Sequence, residues 1–109
     1  MTVGIARLTL FIGGSHSLKE KRMVLRRVKD LVRQRFNVSI AEVAENDVWQ
    51  RAVLGMACVG NDRKFVEAAL DEVIGFVRAK ADVTNEERET QTFSDGEALV
   101  GADFRHWQG

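Results

Sequence analysis

The chain has 109 residues, 45% hydrophobic and 29% charged, with no net charge; it is sized for one compact domain with a core of its own. A single cysteine, Cys58, excludes an intramolecular disulfide, a Cys-rich zinc site and an iron–sulfur cluster held by several thiolates. No apolar run approaches the ~20 residues of a membrane span, and the N-terminus lacks the basic-then-apolar layout of a signal peptide, so a cytoplasmic protein with no membrane partner is expected.

Val3 to Ile12 is apolar and β-branched, with Leu8, Leu10 and Ile12 on one side of the pleat and Arg7 and Thr9 on the other. So few polar residues interrupt it that a central strand is expected. Gly13-Gly14-Ser15-His16 is a turn signal, and Ser17-Leu18-Lys19-Glu20 fits a capping box. In that motif the Ser17 hydroxyl accepts from the residue 20 amide and the Glu20 carboxylate reaches back to the Ser17 amide. A helix over Leu18–Arg35 follows, with Leu18, Val24, Leu25, Val28, Leu31 and Val32 on one face. Asn37 to Ala44 and Trp49 to Val59 read as second and third strands joined as a hairpin through Glu45-Asn46-Asp47. Asp62, with Asn61 as the alternative, caps a second helix reaching about Lys80, whose stripe is Phe65, Val66, Ala69, Leu70, Val73, Phe76 and Val77. Ala81 to Phe93 is more polar and suits a fourth strand at a sheet edge.

The order β-α-β-β-α-β predicts an α+β protein: a ferredoxin-like βαββαβ sandwich, its four-stranded antiparallel sheet carrying both helices on one face. Residues 1–96 are expected to form this single domain and residues 97–109 a C-terminal tail. One sheet face then lacks a helix. Val3, Ile5 and Phe11 lie on that side with Arg7 and Thr9, a mixed surface on which a homodimer could pair.

The zero net charge is unevenly laid out. Residues 1–54 hold ten Lys and Arg against five Asp and Glu; the remainder holds six against eleven. Such asymmetry suits a basic surface facing a polyanion, and equally two solvated faces that complement one another. Lys19, Arg22, Arg26, Lys29 and Arg33 sharpen the choice. They recur at alternating intervals of three and four, one longitudinal row about 21 Å long and roughly 130° away from the apolar stripe. A row of that kind can track a phosphate backbone, with binding that weakens steeply in salt. Gly13, Gly14, Ser15, His16 and Ser17, ahead of a helix N-terminus, could offer backbone amides to an anion, though the Gly-Lys-Ser/Thr ending of a P-loop is missing and a glycine turn before a capped helix is commonly structural.

Catalysis has little support. His16 and His106 are far apart in sequence, Cys58 sits between Ala57 and Val59 in a strand as a small core residue would, and no metal or cofactor motif is present. The third strand carries no aromatic, so base stacking on the sheet as in RRM domains does not fit. Trp49, between Asp47 and Arg51, reads as a cap on the core or as a partner-facing anchor.

Four segments together are specific: Ser15-His16-Ser17-Leu18-Lys19-Glu20-Lys21-Arg22, Arg35-Phe36-Asn37-Val38-Ser39, Trp49-Gln50-Arg51-Ala52 and Val59-Gly60-Asn61-Asp62. In this order they closely resemble the YlxP-like family of small bacterial proteins, a domain of unknown function, from about Val3 to Lys80; beyond Val83 the likeness is loose. The resemblance implies a ferredoxin-like fold and a gene neighbourhood among translation and ribosome-maturation factors. It supplies no catalytic residues. The expectation is therefore a non-enzymatic, RNA- or ribosome-associated protein, without cofactor or metal, that uses the row Lys19, Arg22, Arg26, Lys29, Arg33 and the turn 13–17. The alternative is an oligomeric interaction domain pairing through the open sheet face.

Overall fold

Alternation in the first strand sets the architecture. In the computed structural model, which describes residues 1–13, 16–81 and 83–94, β1 (Thr2–Ile12) buries every second residue from Thr2 through Leu8, Leu10 and Ile12. It pairs antiparallel with β3 (Arg51–Gly60) on one side and β4 (Val83–Ser94) on the other, and is therefore central. The hairpin partner β2 (Ser39–Ala44) joins β3 antiparallel. The sheet order is β2-β3-β1-β4, with α1 (Leu18–Arg35) and α2 (Arg63–Lys80) as the crossovers. This is the ferredoxin-like α+β arrangement.

The helices do not share the sheet evenly. α2 packs on β1, β3 and β4, whereas α1 packs on β2 and on α2. Gly4 lets α2 sit close: a Cβ there would lie 2.3 Å from Val66 Cγ1 and 2.9 Å from Leu70 Cδ1. Between the layers lie Leu8, Leu10 and Leu54 of the sheet, Leu25, Val28 and Val32 of α1, and Val66, Leu70, Val73, Ile74 and Val77 of α2. Each such side chain contributes about 1.5–3 kcal/mol by leaving water.

Several boundaries differ from the sequence reading, each for a local reason. Phe36 closes α1 in extended backbone, its N–H donating to Val32 O, and the chain uses Asn37 and Val38 to step down from helix to sheet before pairing begins at Ser39. Trp49 and Gln50 remain in the turn, although Gln50 O accepts from Ile12 N–H. Ala81 caps α2 through Val77 O, so β4 starts at Val83. The expectations for Gly14 and Ser15 and for the tail 97–109 lie outside the described residues.

Candidate nucleic-acid interface

Ser17 stands at the N-cap in extended backbone, and its Oγ accepts from Glu20 N–H at 3.1 Å. On the return side, Glu20 Oε2 accepts from the amide of His16 at 2.7 Å. A carboxylate thus already sits at the positive end of the helix, where the turn 13–17 was expected to receive an incoming anion. Beyond the cap, α1 presents Lys21, Leu25, Val28 and Val32 to the core, and that choice of buried face decides where the cations go.

Lys19, Arg22 and Arg26 are exposed, Lys29 is half-buried and Arg33 is exposed. Arg33 shows which flank the row occupies. Its Nη2 donates to Ile40 O of β2 at 2.8 Å, and its Nη1 lies 3.7 Å from Asp30 Oδ1. β2 is an edge strand, so the row runs along the outer margin of the sheet, and Arg33 caps one of the carbonyls that an edge leaves unpaired. Among the described residues, no carboxylate lies within ion-pairing distance of Lys19, Arg22, Arg26 or Lys29.

Acidic residues of the second half lie elsewhere. Asp71 of α2 pairs with Arg88 of β4 at 3.5 Å, and Glu67 of α2 accepts from Thr92 of β4 at 3.3 Å. β4 is the opposite edge from β2, three strand spacings or about 14 Å away. Glu67 and Asp71 are thus engaged at the far edge of the sheet from the cation row.

Lys21, in the first turn of α1, is a residue whose role sequence reasoning missed: it is fully buried. Its Nζ lies 2.8 Å from Glu42 Oε2 of β2, at an angle too bent for a good hydrogen bond, and donates to Glu45 O at 2.6 Å. Glu45 has φ 60°, a left-handed conformation uncommon for a residue with a side chain, and its carboxylate pairs with Arg51. The ammonium thereby ties the β2–β3 turn to the first turn of α1. On the same turn Trp49 is 38% exposed, and its ring stands 6.3 Å from that of His16. A signal for Lys21 was present in the chain: it precedes Leu25, Val28 and Val32 at spacings of four, three and four.

With this geometry in place, comparisons with known proteins are specific. The family model described as "Protein of unknown function (DUF503)" matches residues 3–90. The chain belongs to the DUF503 family. It is 36% identical over 91 residues to the uncharacterized protein YlxP of Bacillus subtilis (strain 168), a match covering 84% of this chain and 99% of that one. Among solved structures, a de novo designed protein with a ferredoxin fold, LFR1 1, superposes with a TM-score of 0.53 at 10% identity, covering 94% of each chain. The designed protein Foldit4 reaches 0.48 at 14% identity, covering 85% of this chain and 96% of its own. At these identities the likeness to LFR1 1 speaks for the fold alone.

Elsewhere in this DUF503 chain, Cys58 is buried, its Sγ 3.9 Å from Val66 O, and burial pushes its thiol pKa up, as suits a core residue rather than a nucleophile. Among the described residues, no group of three His, Cys, Asp or Glu is placed to hold a metal ion, and no helix is long and apolar enough to cross a membrane.

Proposed function

We propose that this DUF503 protein is a cytoplasmic, non-enzymatic module that associates with RNA, free or on the ribosome, through the outer flank of α1. Lys19, Arg22, Arg26, Lys29 and Arg33 then contact successive phosphates along about 21 Å of helix, one cation every 5–6 Å. The observation that carries the reading is the isolation of this row. Its first four cations lack acidic partners among the described residues, while Glu67 and Asp71 are engaged with the far edge strand. Phosphates would replace water around side chains that make no competing ion pair, and release of counterions would drive the association. The turn 13–17 contributes less to this reading than the row does, because Glu20 occupies the His16 amide.

Co-sedimentation with ribosomal subunits at low and high salt tests the proposal. Wild type should pellet with subunits at low salt and be released at high salt, and R22E/R26E/K29E should stay in the supernatant at both. Equal pelleting of the two proteins would overturn it.

A second reading has its own observation. On the helix-free sheet face Val59 and Val43 are 59% and 54% exposed, and Val3, Ile5 and Phe11 are half-buried, an apolar area that a second copy could cover. Arg7 and Glu89 are cross-strand neighbours on the same face and would be self-complementary about a two-fold axis. Sedimentation equilibrium over a concentration series should then show a dimer in wild type and a monomer in V3E/V59E; a wild-type monomer throughout would remove this reading.

A further inference from the structure

We propose that the groove at the C-terminal end of α1 is a pocket for one unstacked nucleobase of the bound strand, guanine before the others. The proposal rests on the RNA reading of α1. The groove has a volume of about 430 Å³ and lies between the α1–β2 connection, with Arg35, Phe36 and Asn37, and α2, with Phe65 and Glu72, over a floor that includes Cys58. That volume falls in the range of small-ligand sites.

One exposed aromatic wall suits a flat ring. Phe65 is 61% exposed, unusual for a large apolar side chain on a helix whose neighbour Val66 is fully buried. Gly60 leaves room for its ring, for a Cβ at Gly60 would lie 2.8 Å from Phe65 Cδ1, and Phe65 lines the groove. Phe36 also lines the groove but packs against the core, with Phe76 5.3 Å away at 74° and Arg35 over both rings at 5.7 and 5.3 Å, so that the guanidinium covers this end of the groove. An aromatic face like that of Phe65 stacks bases with little regard to sequence.

The polar groups supply the discrimination. Asn37 and Glu72 are exposed, and neither has a hydrogen-bond or ion-pair partner among the described residues. An amide offers a donor and an acceptor, while a carboxylate only accepts. Glu72 repels phosphate, so the base and not the backbone enters. A carboxylate is best matched by two adjacent N–H donors, which the Watson–Crick edge of guanine presents and that of uracil does not.

Continuity with the cation row comes from helix geometry. Arg33, Gln34 and Arg35 are successive residues 100° apart, and they wrap the last turn from the β2 flank, where Arg33 bonds Ile40 O, to the α2 flank, where Arg35 meets Phe76. A single strand leaving the row can cross that turn with its phosphates near both guanidinium groups and drop a base beyond them.

The test uses the full chain and two probes. Fluorescence anisotropy compares an RNA hairpin that is fully paired with the same hairpin carrying one bulged G or one bulged U. The bulged G should bind about tenfold tighter than the paired form, by stacking, and the bulged U should gain less. F65A should erase the advantage of the bulged G while leaving paired-hairpin affinity and its salt dependence unchanged, and E72Q should erase it without weakening paired-hairpin binding. In parallel, guanosine monophosphate is titrated into the ¹⁵N-labelled protein, with Asn37 side-chain amide signals expected to shift in wild type and not in F65A. Unchanged Asn37 signals together with equal affinity for paired and bulged hairpins would overturn the pocket. Failure of the RNA reading looks different: R22E/R26E/K29E would then bind paired hairpin as well as wild type does, whatever guanosine monophosphate does at the groove.

Discussion

The two helices are alike in almost every local respect. Each has 18 residues, begins at a side-chain N-cap (Ser17 or Asp62) and ends with two basic residues in its last turn. Their charges are placed differently. α2 turns Glu67 and Asp71 toward β4 and spends them on Thr92 and Arg88, whereas α1 carries eight Lys and Arg against Glu20 and Asp30 and leaves four of its outer cations without acidic partners among the described residues. A chain with no net charge can thus present a basic helix margin, with Glu67 and Asp71 engaged at the opposite edge and Glu42 and Glu45 paired with Lys21 and Arg51. The difference also separates two kinds of cation on α1 itself: Lys21 is structural, and Arg22 beside it is available.

The largest expected effect tests that last distinction. Lys21→Met leaves the carboxylate of Glu42, 14% exposed, without its counter-charge and should cost about 3 kcal/mol in urea unfolding. The double variant K21M/E42L should recover most of the loss, while Arg22→Met should stay within about 0.5 kcal/mol of wild type. Equal effects at Lys21 and Arg22 would erase the contrast between inner and outer cations. Next in size, R22E/R26E/K29E should weaken binding to a structured RNA about a hundredfold at moderate salt, roughly 2.7 kcal/mol, and R78E/K80E on α2 by less than about threefold in the same anisotropy assay. Gly4→Ala probes the closer seat of α2 on the sheet: the added methyl meets Val66 and Leu70 and should cost about 1–3 kcal/mol, read as a lower urea midpoint. The smallest effect concerns what the helices share. Ser17→Ala and Asp62→Ala should each lower stability by about 1 kcal/mol, and a large inequality between them would show that the two N-termini are held by different means.

Elements with a strong local signal were legible in the chain. The alternation of β1, the 3–4 spacing in both helices and the caps Ser17 and Asp62 gave the βαββαβ order without any pairing information. Positions that depend on where one element lands on another were not. Lys21 falls on the apolar stripe by spacing, but charges are exposed by default, and the partners that allow its burial, Glu42 and the Glu45 carbonyl, arrive more than twenty residues later. Phe65 belongs to the apolar stripe by composition, yet at the first turn of α2 it overhangs the sheet and only Val66 points inward. The bond from Arg33 to Ile40 O likewise requires knowing that β2 is an edge. The cation row itself was legible, because its spacing is a property of the helix alone; what left it unpaired was the strand order.

The most direct test of the account is the salt dependence of binding to one structured RNA, measured for wild type and for R22E/R26E/K29E. Four to five phosphate contacts predict a slope of log affinity against log salt of about −3 to −4 for the wild-type protein, with the variant flatter by about two or more. A wild-type slope near zero, or the same steep slope in both proteins, would contradict the assignment of the α1 margin as the phosphate-binding surface.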